Sequence, residues 1–174
     1  MNTLIIGNIG SGKTSIGGAL AGKLDSMLID IDGLRTEYSN GRFSGEFKAW
    51  SHFLEIVENA QSNDKLVFEF TGTGKNAWFV REAMKLSMAR NKSRWLCVYL
   101  QCPREVCMQR VSEKTYEVPI PYTFNDVKSS VNFIGDDLVK KLGSSYWNCP
   151  EIVVKSHGIT VEESVDKIYE RLEL

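Results

Sequence analysis

Apolar residues along this chain follow two rhythms. Short runs recur at Leu4-Ile5-Ile6, Met27-Leu28-Ile29, Leu66-Val67-Phe68, Leu96 to Leu100 and Ile152-Val153-Val154. Runs of this length, rich in branched and aromatic side chains and nearly continuous, predict strands covered on both faces, as in a parallel sheet. Between them the apolar positions step by three or four. Ile16, Ala19, Leu20 and Leu24 form one stripe over Lys13 to Leu24, and Phe47, Trp50, Phe53, Leu54 and Val57 form another over Glu46 to Gln61. Pro103 suits the first turn of a helix after Cys102 that would turn Val106, Cys107 and Val111 inward. Phe124, Val127, Val131, Ile134, Leu138 and Leu142 run to a stop at Gly143, and Thr160-Val161-Glu162-Glu163 is a capping box opening a last helix. That helix presents Val161, Val165, Ile168 and Leu172. Alternation of the two kinds of element predicts a three-layer α/β fold, a five-stranded parallel sheet flanked by helices.

Length and charge narrow this picture. The 174 residues suit one domain, 1–174, so a single domain must hold any active site. A net charge of −1 without a basic block disfavours long nucleic acid as a partner. The chain enters its first strand without a charged leader or an apolar h-region, and its longest apolar run is a few residues, which leads to the expectation of a cytoplasmic protein with no membrane partner. Cys97, Cys102, Cys107 and Cys149 form no C-x-x-C pair and read as buried reduced thiols rather than a zinc site. The stretch Ser112 to Tyr122, charged and with two prolines, breaks the periodicity, and a small lid is expected at about 110–122.

The chemistry begins at Gly7-Asn8-Ile9-Gly10-Ser11-Gly12-Lys13-Thr14, which satisfies G-x-x-x-x-G-K-[ST] directly after a strand and directly before a helix. Glycines let backbone N–H groups converge on phosphate oxygens, and the positive end of the following helix adds to the attraction. In such a loop Lys13 bridges the β- and γ-phosphates, the Thr14 hydroxyl ligates Mg²⁺, and Ser15 completes the nucleotide-binding set; the cofactors expected are ATP and Mg²⁺. A GTPase is excluded by the missing N-K-x-D motif and by a D-x-x-G, Asp30 to Gly33, only sixteen residues after Thr14. The third apolar run ends Leu66-Val67-Phe68-Glu69-Phe70, with no Asp-Glu pair of the kind motor ATPases carry.

In these features the chain resembles the small P-loop kinases, the group of shikimate and gluconate kinases, nucleoside monophosphate kinases and polynucleotide kinases. The resemblance rests on the loop and on two further stretches. Met27 to Arg35 reads as a strand ending in D-x-D with an arginine three residues on. If the strand continued that far, Asp30 and Asp32 would face the same crevice at the carboxyl edge of the sheet. The resemblance implies that Asp30 is the metal-side acid, that Asp32 is the base for an acceptor hydroxyl, and that Arg35 holds an anionic part of the acceptor or neutralises charge. The alternative is an acidic turn in which Asp32 caps the next helix.

The other stretch is Val98 to Pro103 and the helix leading to Arg110. Its likeness implies a lid whose arginine, Arg110, reaches the transferring phosphoryl group. Lys114 follows one turn later, and the run to Val118-Pro119 is similar to the lid of phage-type polynucleotide kinases. Phe70 to Lys75 forms a glycine-rich turn at the same edge, where Gly72 is a candidate acceptor-binding residue. Glu69 either holds a metal-bound water or pairs with a nearby base. Trp50 and Phe43 are candidates for lining the acceptor pocket.

The expected function is ATP-dependent transfer of the γ-phosphoryl group to a small-molecule hydroxyl or a nucleoside or nucleotide acceptor, with Lys13, Asp32 and Arg110 as catalytic residues and Thr14 and Asp30 on the metal. The alternatives are a polynucleotide 5′-hydroxyl kinase and an ATP-binding regulatory switch with no acceptor.

Overall fold

The computed structural model describes residues 1–38, 43–113 and 124–173. The five apolar runs become β1 (Asn2–Gly7), β2 (Leu28–Asp30), β3 (Val67–Phe70), β4 (Trp95–Gln101) and β5 (Glu151–Lys155), all parallel, in the order β2-β3-β1-β4-β5. β1 lies in the middle, and the chain crosses from one side of it to the other between β3 and β4. A crevice therefore opens at the carboxyl ends of these strands, the usual ligand position in a doubly wound sheet.

Side chains alternate across the sheet. Leu4 and Ile6 point into a core with Phe53, Phe68, Phe70, Trp95 and Trp147, while Ile5 points into a second core with Ile16, Leu20, Val98, Val165 and Ile168. Both faces of β1 are thus dry, which is why its sequence shows no polar alternation. In the first core, Phe53 meets Trp50, Phe68 and Phe70 edge-on, with ring centroids 5.6, 5.7 and 6.0 Å away. Trp95 satisfies its buried indole N–H on the Ser87 and Ser93 hydroxyls, at 3.0 and 2.9 Å.

Seven helices cover the sheet among the described residues: α1 (Lys13–Lys23), α2 (Ile31–Glu37), α3 (Phe43–Asn59), α4 (Gly74–Asn91), α5 (Arg104–Glu113), α6 (Phe124–Lys141) and α7 (Val161–Leu172). The α7 capping box forms as its sequence predicts: the Glu163 N–H donates to Thr160 Oγ1 at 3.1 Å, and the Thr160 N–H donates to Glu163 Oε2 at 2.7 Å. Three details differ from the sequence reading. Phe47 is 75% exposed, and Ala49 takes its place inside α3. Ala19 faces solvent, because α1 buries Gly17 and Ala21 beside Ile16 and Leu20. Helix α4, which the alternation of elements predicts but to which no stripe was assigned, buries Ala77, Val80, Ala83, Met84 and Ser87 at helical spacing and leaves the larger Trp78 and Phe79 outside. Of the expected lid at about 110–122, residues 110–113 are the last turn of α5, and 114–122, Lys114 included, lie outside the described residues.

Phe53 is fully buried at the junction of α3 with β3. Phe53→Ala should therefore lower the unfolding free energy by about 3–5 kcal/mol, read as a drop in the urea midpoint without a change in slope.

Candidate active site

The loop between β1 and α1 is shaped by two glycines in left-handed conformation, Gly10 at φ 80° and Gly12 at φ 93°. At Gly10 a Cβ would stand 2.7 Å from the Cys107 carbonyl oxygen, so only glycine lets α5 pack this closely behind the loop. Ile9 to Ser15 line a cleft of about 780 Å³. Gly7 and Asn8, read from the sequence as part of the cradle, lie beneath it. A Cβ on Gly7 would meet the Ser11 hydroxyl at 2.7 Å. Asn8 accepts the Ile9 N–H at 2.8 Å and donates its buried amide to the Val131 carbonyl of α6, also at 2.8 Å. Lys13 folds back to donate to the Asn8 carbonyl at 3.0 Å.

Glu69, at the end of β3, is opposite Ile5 in the parallel register and 4% exposed. Its Oε1 accepts the Thr14 hydroxyl at 3.0 Å, and its buried Oε2 has no partner among the described residues. Burial, with Asp30 and Asp32 nearby, pushes the Glu69 carboxyl above its ordinary range, while Lys13 and the Thr14 bond oppose the rise. This arrangement suits an Mg²⁺ site. A hydroxyl that donates to Glu69 keeps its lone pairs for a cation, and the orphan Oε2 can accept from a metal-bound water. Among the described residues no group of three or more His, Cys, Asp or Glu side chains could hold a metal ion.

The D-x-D segment is arranged differently from its sequence reading. β2 ends at Asp30 and α2 begins at Ile31, so the two acids do not share a strand face. Asp30 is the helix cap, its Oδ1 accepting the Gly33 N–H at 2.6 Å; the capping role belongs to it rather than to Asp32. Asp30 sits beside Glu69 across β2 and β3, and it is Glu69 that carries the contact to Thr14. Asp32, in the first turn of α2, lines the cleft.

Arg35 does not present itself to an anion. Its Nη1 donates to Asp32 at 2.6 Å, and its Nε and Nη2 donate to the two oxygens of Glu46, each at 2.7 Å. Trp50 adds an indole N–H to Glu46 Oε1 at 2.9 Å and lies 5.7 Å from the guanidinium. Of the two readings of Arg35, charge neutralisation matches these contacts. Glu46 carried no sequence signal, since eleven residues separate it from Arg35.

Gly72, the candidate acceptor contact, is buried at φ 80°, where a Cβ would come 2.8 Å from Ile6 Cβ; its carbonyl accepts Lys141 Nζ at 3.3 Å. Its neighbours Thr71 and Thr73, with Asn76, line the cleft instead. Trp50 lines it as well, whereas the Phe43 side chain lies outside what is described. Arg110 also lines the cleft, but it is held by carbonyls: Nη1 donates to Gly10 at 3.0 Å and Nη2 to Ser156 at 3.2 Å. It braces the loop against the end of β5 while lining the cleft. The four cysteines are free thiols, but only Cys97 and Cys107 are buried, Cys102 and Cys149 being partly exposed; desolvation pushes Cys107 and Cys149 up to about 12.

Comparison with known proteins agrees with this geometry. A family model described as shikimate kinase matches residues 9–173. Among solved structures, a shikimate kinase from Bacteroides thetaiotaomicron superposes with a TM-score of 0.62 at 21% identity, covering 100% of this chain and 99% of that one. A gluconokinase from Sinorhizobium meliloti 1021 gives 0.57 at 17% identity, with 99% and 95% covered. A deoxyadenosine kinase from M. mycoides, solved with dCMP and dCDP bound, gives 0.59 at 12% identity, with 99% and 98% covered. None of the curated proteins matches the chain.

The raised carboxyl of Glu69 has a measurable signature. Folded Glu69 holds its proton more tightly than unfolded Glu69, so its contribution to stability is complete below the ordinary 4.5 and is lost as pH rises through the folded value. In metal-free, nucleotide-free protein, Glu69→Gln should gain stability relative to the parent across that window, by about 1.4 kcal/mol per unit of upward shift. Urea denaturation of both proteins at a series of pH values measures the difference; a gap independent of pH would mean that the carboxyl titrates normally.

Proposed function

Since the chain belongs to the shikimate kinase family and is an ATP-dependent phosphotransferase acting on a small molecule, we propose that Asp32 prepares the acceptor hydroxyl and that Thr14 and Glu69 organise Mg²⁺. One observation carries the reading: a single cleft holds a complete phosphate loop and, at the end formed by α2, an exposed carboxylate fixed in place by an arginine.

ATP would lie with its phosphates against the N–H groups of Gly10 to Thr14, attracted also by the start of α1. Lys13 would exchange the Asn8 carbonyl for the β- and γ-phosphates. Mg²⁺, when bound, offsets phosphate charge as a Lewis acid. Thr14 would supply a hydroxyl lone pair to that ion while still donating its proton to Glu69, and Glu69 Oε2 would accept from a water in its shell. Asp30, one strand away, adds negative charge without direct ligation. Asp32 takes the proton of the acceptor hydroxyl as its oxygen bonds to the γ-phosphorus and the bond to ADP breaks. Arg35 acts as a positioning residue for that carboxylate. Arg110 holds the loop in shape and neutralises charge at its edge.

The test is ATP consumption with Mg²⁺ over a panel of sugars, sugar acids, shikimate, nucleosides, nucleotides and 5′-hydroxyl oligonucleotides, with each product confirmed by mass. Product from one small-molecule class is expected; phosphorylated oligonucleotide alone would move the assignment to a polynucleotide kinase, and hydrolysis that no acceptor accelerates would favour a switch. With the true acceptor, Asp32→Ala should lower kcat by about 10²–10⁴-fold while leaving ATP affinity unchanged. A variant with the parent's kcat would remove Asp32 as the base.

A further inference from the structure

On one side the sheet ends at β5, Glu151-Ile152-Val153-Val154-Lys155, which pairs with β4 alone among the described residues. Cys97 donates to the Pro150 carbonyl at 2.9 Å, and Ser156 donates to the Gln101 carbonyl at 3.0 Å. In a parallel ladder the groups facing one neighbour belong to alternate residues. Ile152 and Val154 therefore serve β4, while the N–H and C=O groups of Glu151, Val153 and Lys155 point out of the sheet. None of these outward groups has a hydrogen-bond partner among the described residues. Val153, at the centre of the edge, is 47% exposed. Sheet edges are commonly guarded by brevity, as at the opposite edge of this sheet, where β2 has three residues. β5 is longer and apolar at its centre, the form that accepts another strand.

The geometry points to a second copy of this chain as that strand, paired antiparallel with β5 across a two-fold axis at Val153. The sequence of the strand selects both this occupant and this register. With Val153 opposite the partner's Val153, Glu151 falls opposite the partner's Lys155 and Lys155 opposite the partner's Glu151, so the strand is its own complement in charge. An antiparallel ladder bonds alternate pairs, and here the bonded pairs are those that carry the outward backbone groups. A slip of two residues would set one of the two charges opposite valine and leave the other outside the pairing.

Glu151 shows the same complementarity from its own side. Its Oε2 accepts the Gly143 N–H at 3.2 Å, and its buried Oε1 has no partner among the described residues. A carboxylate short of a donor gains from an ammonium brought directly across the edge. Beside the edge, Glu151 to Val154 and the exposed Lys167, Glu170 and Arg171 of α7 border a groove of about 470 Å³. That rim carries both signs, so two copies of it can meet without net repulsion. The pairing would join two sheets into one of twice the width.

Sedimentation equilibrium of the whole chain over a concentration series, with amide hydrogen exchange at both ends of the series, tests this. A reversible monomer–dimer equilibrium is expected, with a dissociation constant of about 1–100 µM for so small an interface. At high concentration the Val153 and Lys155 amides should exchange at least about tenfold more slowly than at low concentration, while those of Ile152 and Val154, already bonded to β4, change less. Val153→Asp sets two carboxylates face to face on the axis, and Lys155→Glu sets one against Glu151; each should weaken association at least about tenfold. Both positions are exposed, so the fold should tolerate either change. Lys155→Glu mixed with Glu151→Lys restores both opposite-charge pairs, and the heterodimer should form more tightly than either variant with itself. A chain that stays monomeric to about 0.5 mM, with edge amides exchanging alike throughout, would overturn the inference and leave the edge to another strand or to water. A dimer that Val153→Asp and Lys155→Glu leave intact would overturn it too, because association would use another surface. The parent and the two exposed variants decide the matter even if Glu151→Lys fails to fold.

Discussion

The structure depends on how tightly the turn from β1 into α1 is gripped from behind. Two left-handed glycines set its path, and the absence of a side chain at Gly10 lets the Cys107 carbonyl of α5 come within reach of a single Cβ. Arg110 closes the same contact from the side by bonding the Gly10 carbonyl, and Asn8 fastens the start of the loop to α6. Glycine adopts this backbone without strain, and the contacts around the loop select it from the many conformations open to glycine. The pairing of β1 with β3 then decides what the loop can reach: the register that sets Ile5 opposite Glu69 delivers a buried carboxylate to the hydroxyl of Thr14. A half-satisfied buried acid would be a liability in a purely structural position. Next to a phosphate cradle its second oxygen is placed to accept a hydrogen bond from a water.

The opposite end of the cleft follows a different logic. Its acid and its arginine belong to one short helix, α2, and the charges there answer one another before any ligand arrives. The parallel sheet is shared with solved structures of a shikimate kinase, a gluconokinase and a deoxyadenosine kinase.

How much of this could be read from the chain itself depended on how local each cause was. The phosphate loop is contiguous, and its glycines, lysine and threonine lie where the motif requires, so its position and chemistry were legible. The strands were legible because burial on both faces leaves a run without polar residues, and the α7 cap because Thr160 and Glu163 are three residues apart. Helix α4 was less legible because its buried stripe of Ala77, Val80, Ala83, Met84 and Ser87 is built mostly of small side chains, while the larger Trp78 and Phe79 lie outside. The D-x-D pair was misread by two residues of strand: ending β2 at Asp30 turned that acid into a cap and moved Asp32 onto a helix. The partnership of Arg35 with Glu46 and the approach of Thr14 to Glu69 join residues far apart in sequence, and only the packing of α2 on α3 and of α1 over β3 brings them together.

The bond from Asn8 to Val131 joins the first element of the site to one of its last across 123 residues of chain. Helix α6 lends Asp126, Val127, Ser130 and Ile134 to the cleft, while Asn8 belongs to the loop that receives the nucleotide. The two ligands thus share a mechanical joint. By thermodynamic linkage, whatever factor a nucleotide settling on the loop applies to acceptor affinity through α6, the acceptor returns to the nucleotide unchanged.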